Sequence, residues 1–425
     1  MDLRMSVLRG LAALFCAACV TASASAGQLT LRYNDPEEAQ MRVALDAFEK
    51  ENPGTTVMLE RGSWGDAPPQ FLREAAVGSG PDVVHSAFVW VKDLASAGAV
   101  LPLEPLVAPQ KPADAFANVI ALDLATGRDG KIYGLPWTVD TWSMVYNTDL
   151  MKRAGVTAIP TTWDEFRDAA RKVHAATGKI GFAFPFGSGG SNSIWFAANF
   201  WWWSHGQGLV IKQPDGKFSL GVDAPGVVAA MNYFKSFLDD NTTPKGMIAI
   251  ANWGDPAIIE PMANGEAMAT IEPPANFKQI VSAWQTRNPG AAQPFTSALV
   301  PGDKAGSVTV VGGRTLVINA NTQDPQAAWK LVRFLSRQDF FTTYLTSQLP
   351  ANKALLSAMD LGPGMGGYAQ QLQQARTWGP YADGPVAIGT MWNEVGRDFG
   401  AMFVGEMTAD QAAQRLLSAI GSGLK

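Results

Sequence analysis

The chain is predicted to be an α/β protein, and three observations carry that expectation. The stretch QLTLRYNDPEEAQMRVALDAFEKENPGTTVMLE, from Gln28, reads strand, helix, strand. The same alternation recurs to the C-terminus. No segment reads as a linker between two sequential domains, although 425 residues suffice for two or three. A chain that crosses between two lobes more than once reconciles that length with the missing linker.

The elements follow in order. Residues 28–33 alternate as a strand does. Pro36, Glu37 and Glu38 suit the first turn and positive end of a helix. Met41, Ala44, Leu45 and Phe48 form its buried stripe, and Asn52-Pro53-Gly54 stops it before the strand TTVMLE. FLREAAVGSG, PDVVHSA and VWVKDLASAGAV continue as helix, strand and helix, the last ending at Gly98. Residues 129–156 read as a strand pair and then a helix. TTWDEFRDAARKVHAATG is an amphipathic helix capped by Thr161 or Thr162, with Glu165 as box partner. KIGFAFPF returns as a strand. A helix runs from about Ser193 to His205, where Gly206 ends it. PGVVAAMNYFKSFLDDN is a further helix. PAIIEPMANGEAMATIEPP gives helix, turn at Asn264-Gly265 and strand. VTVVGGRTLVINANT is a strand kinked at Gly312-Gly313. DPQAAWKLVRFLSRQDFFTTYLT reads as one long helix, GPGMGG (362–367) as a flexible loop, and TADQAAQRLLSAIGSGL as the last helix.

Composition narrows the function. Hydrophobic residues make up 47% and charged residues 17%, an ordinary globular balance. The formal net charge of -5, without a basic stripe, argues against nucleic acid and anionic membrane surfaces. Residues 1–26 have the form of a secretory signal: Arg4 and Arg9, the apolar run LAALFCAACV, and ASA before Gly27. Cys16 and Cys19 both lie within it, so the mature chain has no thiol chemistry. Lipid anchoring at Cys19 is the alternative, against which the preceding Cys-Ala-Ala is a poor lipobox. His85, His174 and His205 lack metal-ligand spacing. No G-x-S-x-G, H-E-x-x-H or P-loop occurs. Neither a metal nor a cofactor is expected.

Several blocks resemble the extracellular solute-binding proteins of ATP-binding-cassette sugar importers, the maltose-binding-like group. They are GSGPDVVHSAFVWVKDLASAGAVLPLEPLV, DGKIYGLPWTVDTWSMVYNTDLMKRAG with IPTTWDEF, MANGEAMATIEPP, GGRTLVINANTQDPQAAWKLVRFL and MTADQAAQRL. They fall in the family's order over nearly the whole mature chain. The resemblance implies a two-lobed periplasmic-binding-protein (Venus flytrap) fold, each lobe a mostly parallel sheet flanked by helices. It places lobe 1 at 27–138 plus 316–350 and lobe 2 at 139–315 plus 351–425, with crossings near Val139 and Thr315. It also implies a non-enzymatic, monomeric periplasmic protein that captures a carbohydrate between its lobes and presents it to the permease subunits of an importer.

Candidate site residues follow from chemistry and place. Fourteen tryptophans are many. Flat aromatics cover the C–H faces of sugar rings, and carboxylates accept hydrogen bonds from hydroxyls. Trp64, Phe88 and Trp90 lie at strand ends. Trp142 follows Asp140 in the first crossing, and Trp392 is placed to stack from the opposite lobe. Asp140 is the leading carboxylate. Asp35 and Glu37 come next, though helix capping explains them as well. Glu272 ends ATIE, where the family often continues with an aromatic. Ala275 and Phe277 occupy that region here, which leaves the ligand class open. In NFWWWSHGQG, Trp201, Trp202 and Trp203 fan around a helix. Phe196, Phe200 and Trp203 make a core stripe, and Trp195, Asn199 and Trp202 a mixed one that suits the edge of a cleft; the family resemblance implies that the start of this helix lies at the binding site, which favours Trp195. Gly313 and Arg314 mark the second crossing. Ser191 and Asn192, in a glycine-rich loop before a helix, join Arg314 in keeping an anionic sugar derivative in play. A secreted carbohydrate-active enzyme and a lectin-like module remain further alternatives.

Overall fold

The opening unit forms as an alternating chain should. Strand β1 (Gly27–Tyr33) pairs in parallel with β2 (Thr55–Arg61) along its whole length. The helix Glu38–Glu51 crosses between them and buries Met41, Ala44, Leu45 and Phe48. Residues 27–108, 111–189, 193–346 and 348–424 are described in the structure, a computed structural model. The leader, Cys16 and Cys19 lie outside them. Among the described residues no helix is long and apolar enough to cross a membrane.

The remaining strands are β3 (Val83–Ala87), β4 (Gly134–Asp140), β5 (Ser143–Asn147), β6 (Ile180–Phe182), β7 (Gly208–Lys212), β8 (Phe218–Gly221), β9 (Ala267–Glu272), β10 (Phe295–Ala298), β11 (Gly312–Ile318) and β12 (Leu349–Pro350). The first lobe holds a sheet of order β12-β4-β11-β3-β1-β2. The second holds β10-β5-β9-β6, and β7 and β8 form a separate hairpin. These sheets are mixed, which corrects the expectation of mostly parallel ones. In the first, β1, β2, β3 and β4 share a direction. The return strand β11 inserts antiparallel between β3 and β4, and β12 adds antiparallel to β4. A strand that comes back from the other lobe must enter from the opposite end.

Each sheet has its own core. Leu31, Phe48, Trp137, Leu316 and Phe334 belong to the first, and Tyr146, Phe166, Phe182, Trp202 and Phe399 to the second. The chain passes between sheets at Thr141 and Trp142, directly after β4, and returns just before Gly312. A hydrogen bond of 2.9 Å between the Thr141 and Thr309 hydroxyls ties the two passages together.

Local chemistry explains most boundaries. Thr162, rather than Thr161, caps the helix Trp163–Thr177 in a full capping box with Glu165, and Gly178 closes it with φ 68°. The long helix expected from Asp324 is two helices, Pro325–Leu335 and Gln338–Thr343. Arg337 between them is extended, with its guanidinium paired to Glu51 and Asp339. The tryptophan-rich helix Ser193–Ser204 is buried at every position. Trp201 stacks on His205 and packs on Tyr233, Trp202 meets Phe399, and Trp203 meets Trp378. The three indoles need no common side because the second lobe surrounds the helix.

Candidate functional site

The ends of β1, β3, β4 and β11 converge beside the passage between lobes. Cross-strand register sets Arg314 opposite Ala87 and Thr138, and Gly312 opposite Asp140. Two glycines permit this. Gly313 has φ +154°, and a β-carbon there would strike the Thr138 carbonyl and the buried Phe88 ring. A β-carbon on Gly312 would collide with the Asp140 carboxylate and lie 3.1 Å from the Trp142 ring. Phe88 itself packs with Leu124, Val139, Val311 and Leu349.

A charged cluster occupies the convergence. Asp35, just beyond β1, accepts a 2.7 Å hydrogen bond from Trp64 Nε1. It also accepts from Arg314 Nε and Nη2, at 3.1 and 3.4 Å. Arg314 Nη1 is ion-paired with Asp140 Oδ2. The guanidinium lies 5.4 Å from the centre of the Trp64 ring, a cation–π distance, and Trp90 packs against Trp64 at 5.5 Å. Asp35 does not cap the helix that follows it. Its burial would raise its pKa, but the opposed Arg314 guanidinium prevails and holds the carboxyl below its usual range.

His85, which the sequence did not single out for this place, completes the cluster. It stacks on Tyr33 at 4.7 Å and meets Trp64 and Trp137 edge-on. Its Nδ1 accepts from the Asn34 backbone N–H at 3.2 Å, which leaves the proton on Nε2, 3.9 Å from Asp35 Oδ2. Complete burial pushes its pKa down to about 3, so the ring is neutral at pH 7. Buried polar atoms without a hydrogen-bond partner among the described residues gather here: Asp140 Oδ1, His85 Nε2, Trp142 Nε1 and the Thr138, Ser143 and Thr315 hydroxyls, with Asn34 Oδ1 turned against Gly62. Buried polar atoms are nearly always paired, so such a gathering marks a candidate place for a ligand.

The second lobe contributes an aromatic wall. Trp142 stacks on Phe196 at 4.3 Å, with Trp253 against both. Trp195 lies deeper, fully buried between Trp378 at 5.1 Å and Trp392 at 5.8 Å. The expected cleft tryptophan is thus part of the lobe's core. Its helix has no polar face, so an apolar neighbour covers every side. Glu272 pairs across from Ser143 and is fully buried, accepting from Thr270 at 3.0 Å and Asn276 at 2.7 Å. Burial, opposed by those two bonds, pushes its pKa up to about 8. Glu37 stands behind the cluster, accepting from the Tyr33 hydroxyl and Gln348. Ser191 and Asn192 lie outside the described residues. Asp82 accepts from the Thr30 backbone and the Thr322 hydroxyl.

Two lysines reach across the junction. Lys92, two residues after Trp90, pairs with Asp383 at 2.5 Å, and Lys278 donates to the Thr346 carbonyl at 2.5 Å. Beside the first bridge lies an open groove of about 680 Å³, with Arg128 on one side and Lys217, Phe218 and Asp383 on the other. Among the described residues no group of three or more His, Cys, Asp or Glu is placed to hold a metal ion.

Two sheet-bearing lobes joined by several passages, with unsatisfied polar groups collected at the junction, define a two-lobed ligand-binding protein. The sequence profile of the bacterial extracellular solute-binding proteins matches residues 34–339, and the chain belongs to that family. It is 26% identical over 341 residues to a Brucella abortus protein named as a binding protein, covering 79% of this chain and 78% of that one. It is also 26% identical over 364 residues to the maltodextrin-binding protein of Bacillus subtilis, with 83% and 79% covered. Among solved structures, the GacH receptor of Streptomyces glaucescens, solved unliganded and with acarbose, superposes with TM-score 0.77 at 21% identity. The match covers 94% of this chain and 98% of that one. A Thermotoga lettingae solute-binding protein bound with α-D-tagatose gives 0.79 at 20%, over 94% and 100%. These two likenesses establish the fold.

Proposed function

We propose that this protein captures a carbohydrate or polyol between its lobes in the periplasm and delivers it to the permease of an ATP-binding-cassette importer. The observation that carries the reading is the Asp35–Arg314–Asp140 cluster, flanked by Trp64 and Trp90 on one side and Trp142 on the other. Carboxylates held in place by a guanidinium are oriented acceptors for hydroxyl groups, and indole faces suit the C–H surface of a pyranose. The names of the maltodextrin-binding relative and of the tagatose-bound neighbour point the same way. A cleaved signal over 1–26, a monomeric state and a division into two lobes belong to the same proposal; the expected boundaries at 138/139 and 315/316 move to Thr141-Trp142 and to just before Gly312, because β4 and β11 carry 139–140 and 312–315 into the first sheet.

The mechanism is conformational. An open form admits ligand, contacts from both lobes favour the closed form, and closure displays the surface that the permease reads. The protein performs no bond chemistry in this scheme. The test is thermal unfolding of residues 27–425 across neutral sugars, oligosaccharides, polyols and sugar derivatives. A ligand bound only by the native state raises the midpoint with the logarithm of its excess over Kd. One carbohydrate class should shift the midpoint and be recovered unchanged. Asp140→Ala should weaken that ligand by about tenfold or more, the scale of a lost hydrogen bond to a charged group. A panel without effect, or an Asp140→Ala protein of unchanged affinity, refutes the reading.

A further inference from the structure

Arg314 is the cation at the convergence, and by residue type it suits an acidic ligand. Its geometry says otherwise. Nε and Nη2 face Asp35, Nη1 faces Asp140, and the guanidinium carbon lies over the Trp64 ring. Every nitrogen is directed at a carboxylate of its own chain. One guanidinium is paired to two carboxylates; Arg61 stands outside the cluster on the Asp35 backbone carbonyl and reaches neither carboxylate, and the neutral His85 adds no charge. The unpartnered atoms have a matching character. Asp140, 5% exposed, offers Oδ1 as an acceptor, and the fully buried His85 offers Nε2–H as a donor.

A hydroxyl group can satisfy either kind of atom, because it donates and accepts. An ammonium group satisfies the acceptor and relieves the surplus charge. A carboxylate or sulfate has no proton for Asp140, and a phosphate that keeps one still meets like charge there, while the Arg314 guanidinium is already committed. We infer that Arg314 is an internal counter-cation rather than a ligand anchor, so the site selects carbohydrates that are uncharged or carry an amine and rejects sugar acids and sugar phosphates. The carbohydrate part of this rests on the function proposed above; the charge rule is a property of the cluster itself.

The test separates the two. Inorganic phosphate, sulfate and D-glucuronate are titrated into residues 27–425 at constant ionic strength, with thermal midpoint as the readout. Wild type and Arg314→Gln should respond alike, because Arg314 recruits no anion. Asp140→Asn removes one negative charge and with it the ion pair that holds Nη1. It should gain stabilisation by phosphate and sulfate at concentrations about tenfold lower than any wild-type response, the scale of a new charge-assisted hydrogen bond. Adding Arg314→Gln to that background should abolish the gain. Anion binding by wild type that disappears in Arg314→Gln overturns the inference, as does a folded Asp140→Asn protein indifferent to phosphate. Should Asp140→Asn fail to fold, the comparison of wild type with Arg314→Gln decides alone. If neutral sugars also leave the midpoint unmoved, the carbohydrate reading falls and the charge rule stands.

Discussion

The two walls of the junction are held by different forces. The first-lobe wall is a network of charge: Asp35, Arg314 and Asp140 fix one another, with indoles laid on top and several polar atoms left unpaired. The second-lobe wall is continuous packing. Ring contacts run from Trp142 through Phe196 to Trp392, Trp195 and Trp378. A tryptophan therefore does different work on each side. Trp64 donates to a carboxylate and covers a guanidinium, whereas Trp195 fills volume. The charged wall is suited to recognition because its carboxylate and imidazole atoms have capacity left over. The packed wall is suited to rigidity because rings fill it, and what it leaves unpaired are donors only, the Trp142, Trp195 and Trp253 indole N–H groups.

The sharpest way to break that contrast is to truncate one tryptophan from each wall. Trp195→Ala opens a cavity among rings with little freedom to collapse and should cost about 3–5 kcal/mol in urea unfolding. Trp64→Ala removes one hydrogen bond and a partly exposed face, and should cost about 1–2 kcal/mol. Equal losses would mean that the first wall is also a packing wall. The next effect lies in the charged network. Arg314→Ala leaves the buried Asp35 beside Asp140 without a cation. Breaking a buried pair costs about 3–5 kcal/mol; at 22% exposure of the arginine side chain, roughly 2–3 kcal/mol is expected. A loss below about 0.5 kcal/mol would show that water, not Arg314, supports Asp35.

Two buried carboxyl groups sharpen the comparison further. Arg314 keeps Asp35 low, whereas Glu272 has no cation and burial lifts it to about 8. The folded state therefore holds a proton on Glu272 where the unfolded chain, near 4.5, has released it. Its contribution is complete below about pH 4.5 and declines as pH rises through that window to about 8. The limiting slope is about 1.4 kcal/mol per pH unit for one proton. Glu272→Gln should flatten this decline. The difference between wild type and variant, measured by urea unfolding at pH 5, 6, 7 and 8, isolates the term from His85, whose lowered pKa acts in the opposite direction. A difference that stays constant across that range would place Glu272 in a wetter site.

What was legible in the sequence follows the same division. Local rules exposed the opening β-α-β unit, the Thr162–Glu165 capping box and the glycine pair, because each depends on neighbours in sequence. Asp35, Trp64, Asp140 and Arg314 were each singled out by residue type and position, but nothing in the spacing showed that one guanidinium would join two carboxylates 105 residues apart. His85 was weighed only as a metal ligand; its place in the middle of PDVVHSA was the available sign of burial. Trp195 was favoured by the family resemblance; its burial between Trp378 and Trp392 could not be read from the stripe, because its helix has no polar face. The break at Ser336-Arg337 went unseen because the apolar period continues through it, and a long-range pair to Glu51 favours the bend.

The smallest effect concerns how the walls meet. Lys92 and Asp383 pair across the junction beside Trp90, with 15% and 36% of their side chains exposed. Arg128 steadies the lysine's helix by donating to the Ser96 hydroxyl at 2.8 Å and pairing with Asp93 at 3.2 Å. So exposed a pair should contribute about 0.2–1 kcal/mol. It forms only while the lobes are together, so the full amount bears on closure rather than on folding. Lys92→Ala should lower the ratio of closed to open molecules by about 1.4- to 5-fold. Residues 27–425 contain no cysteine, so a pair of engineered cysteines, one in each lobe, reports the distance directly by fluorescence transfer. Exchanging the charges, Lys92→Asp with Asp383→Lys, should restore the wild-type distribution, and high salt should weaken both. An unchanged distribution in Lys92→Ala would assign closure to the walls themselves, with the aromatic wall as the fixed surface and the charged cluster as the only part that responds to ligand.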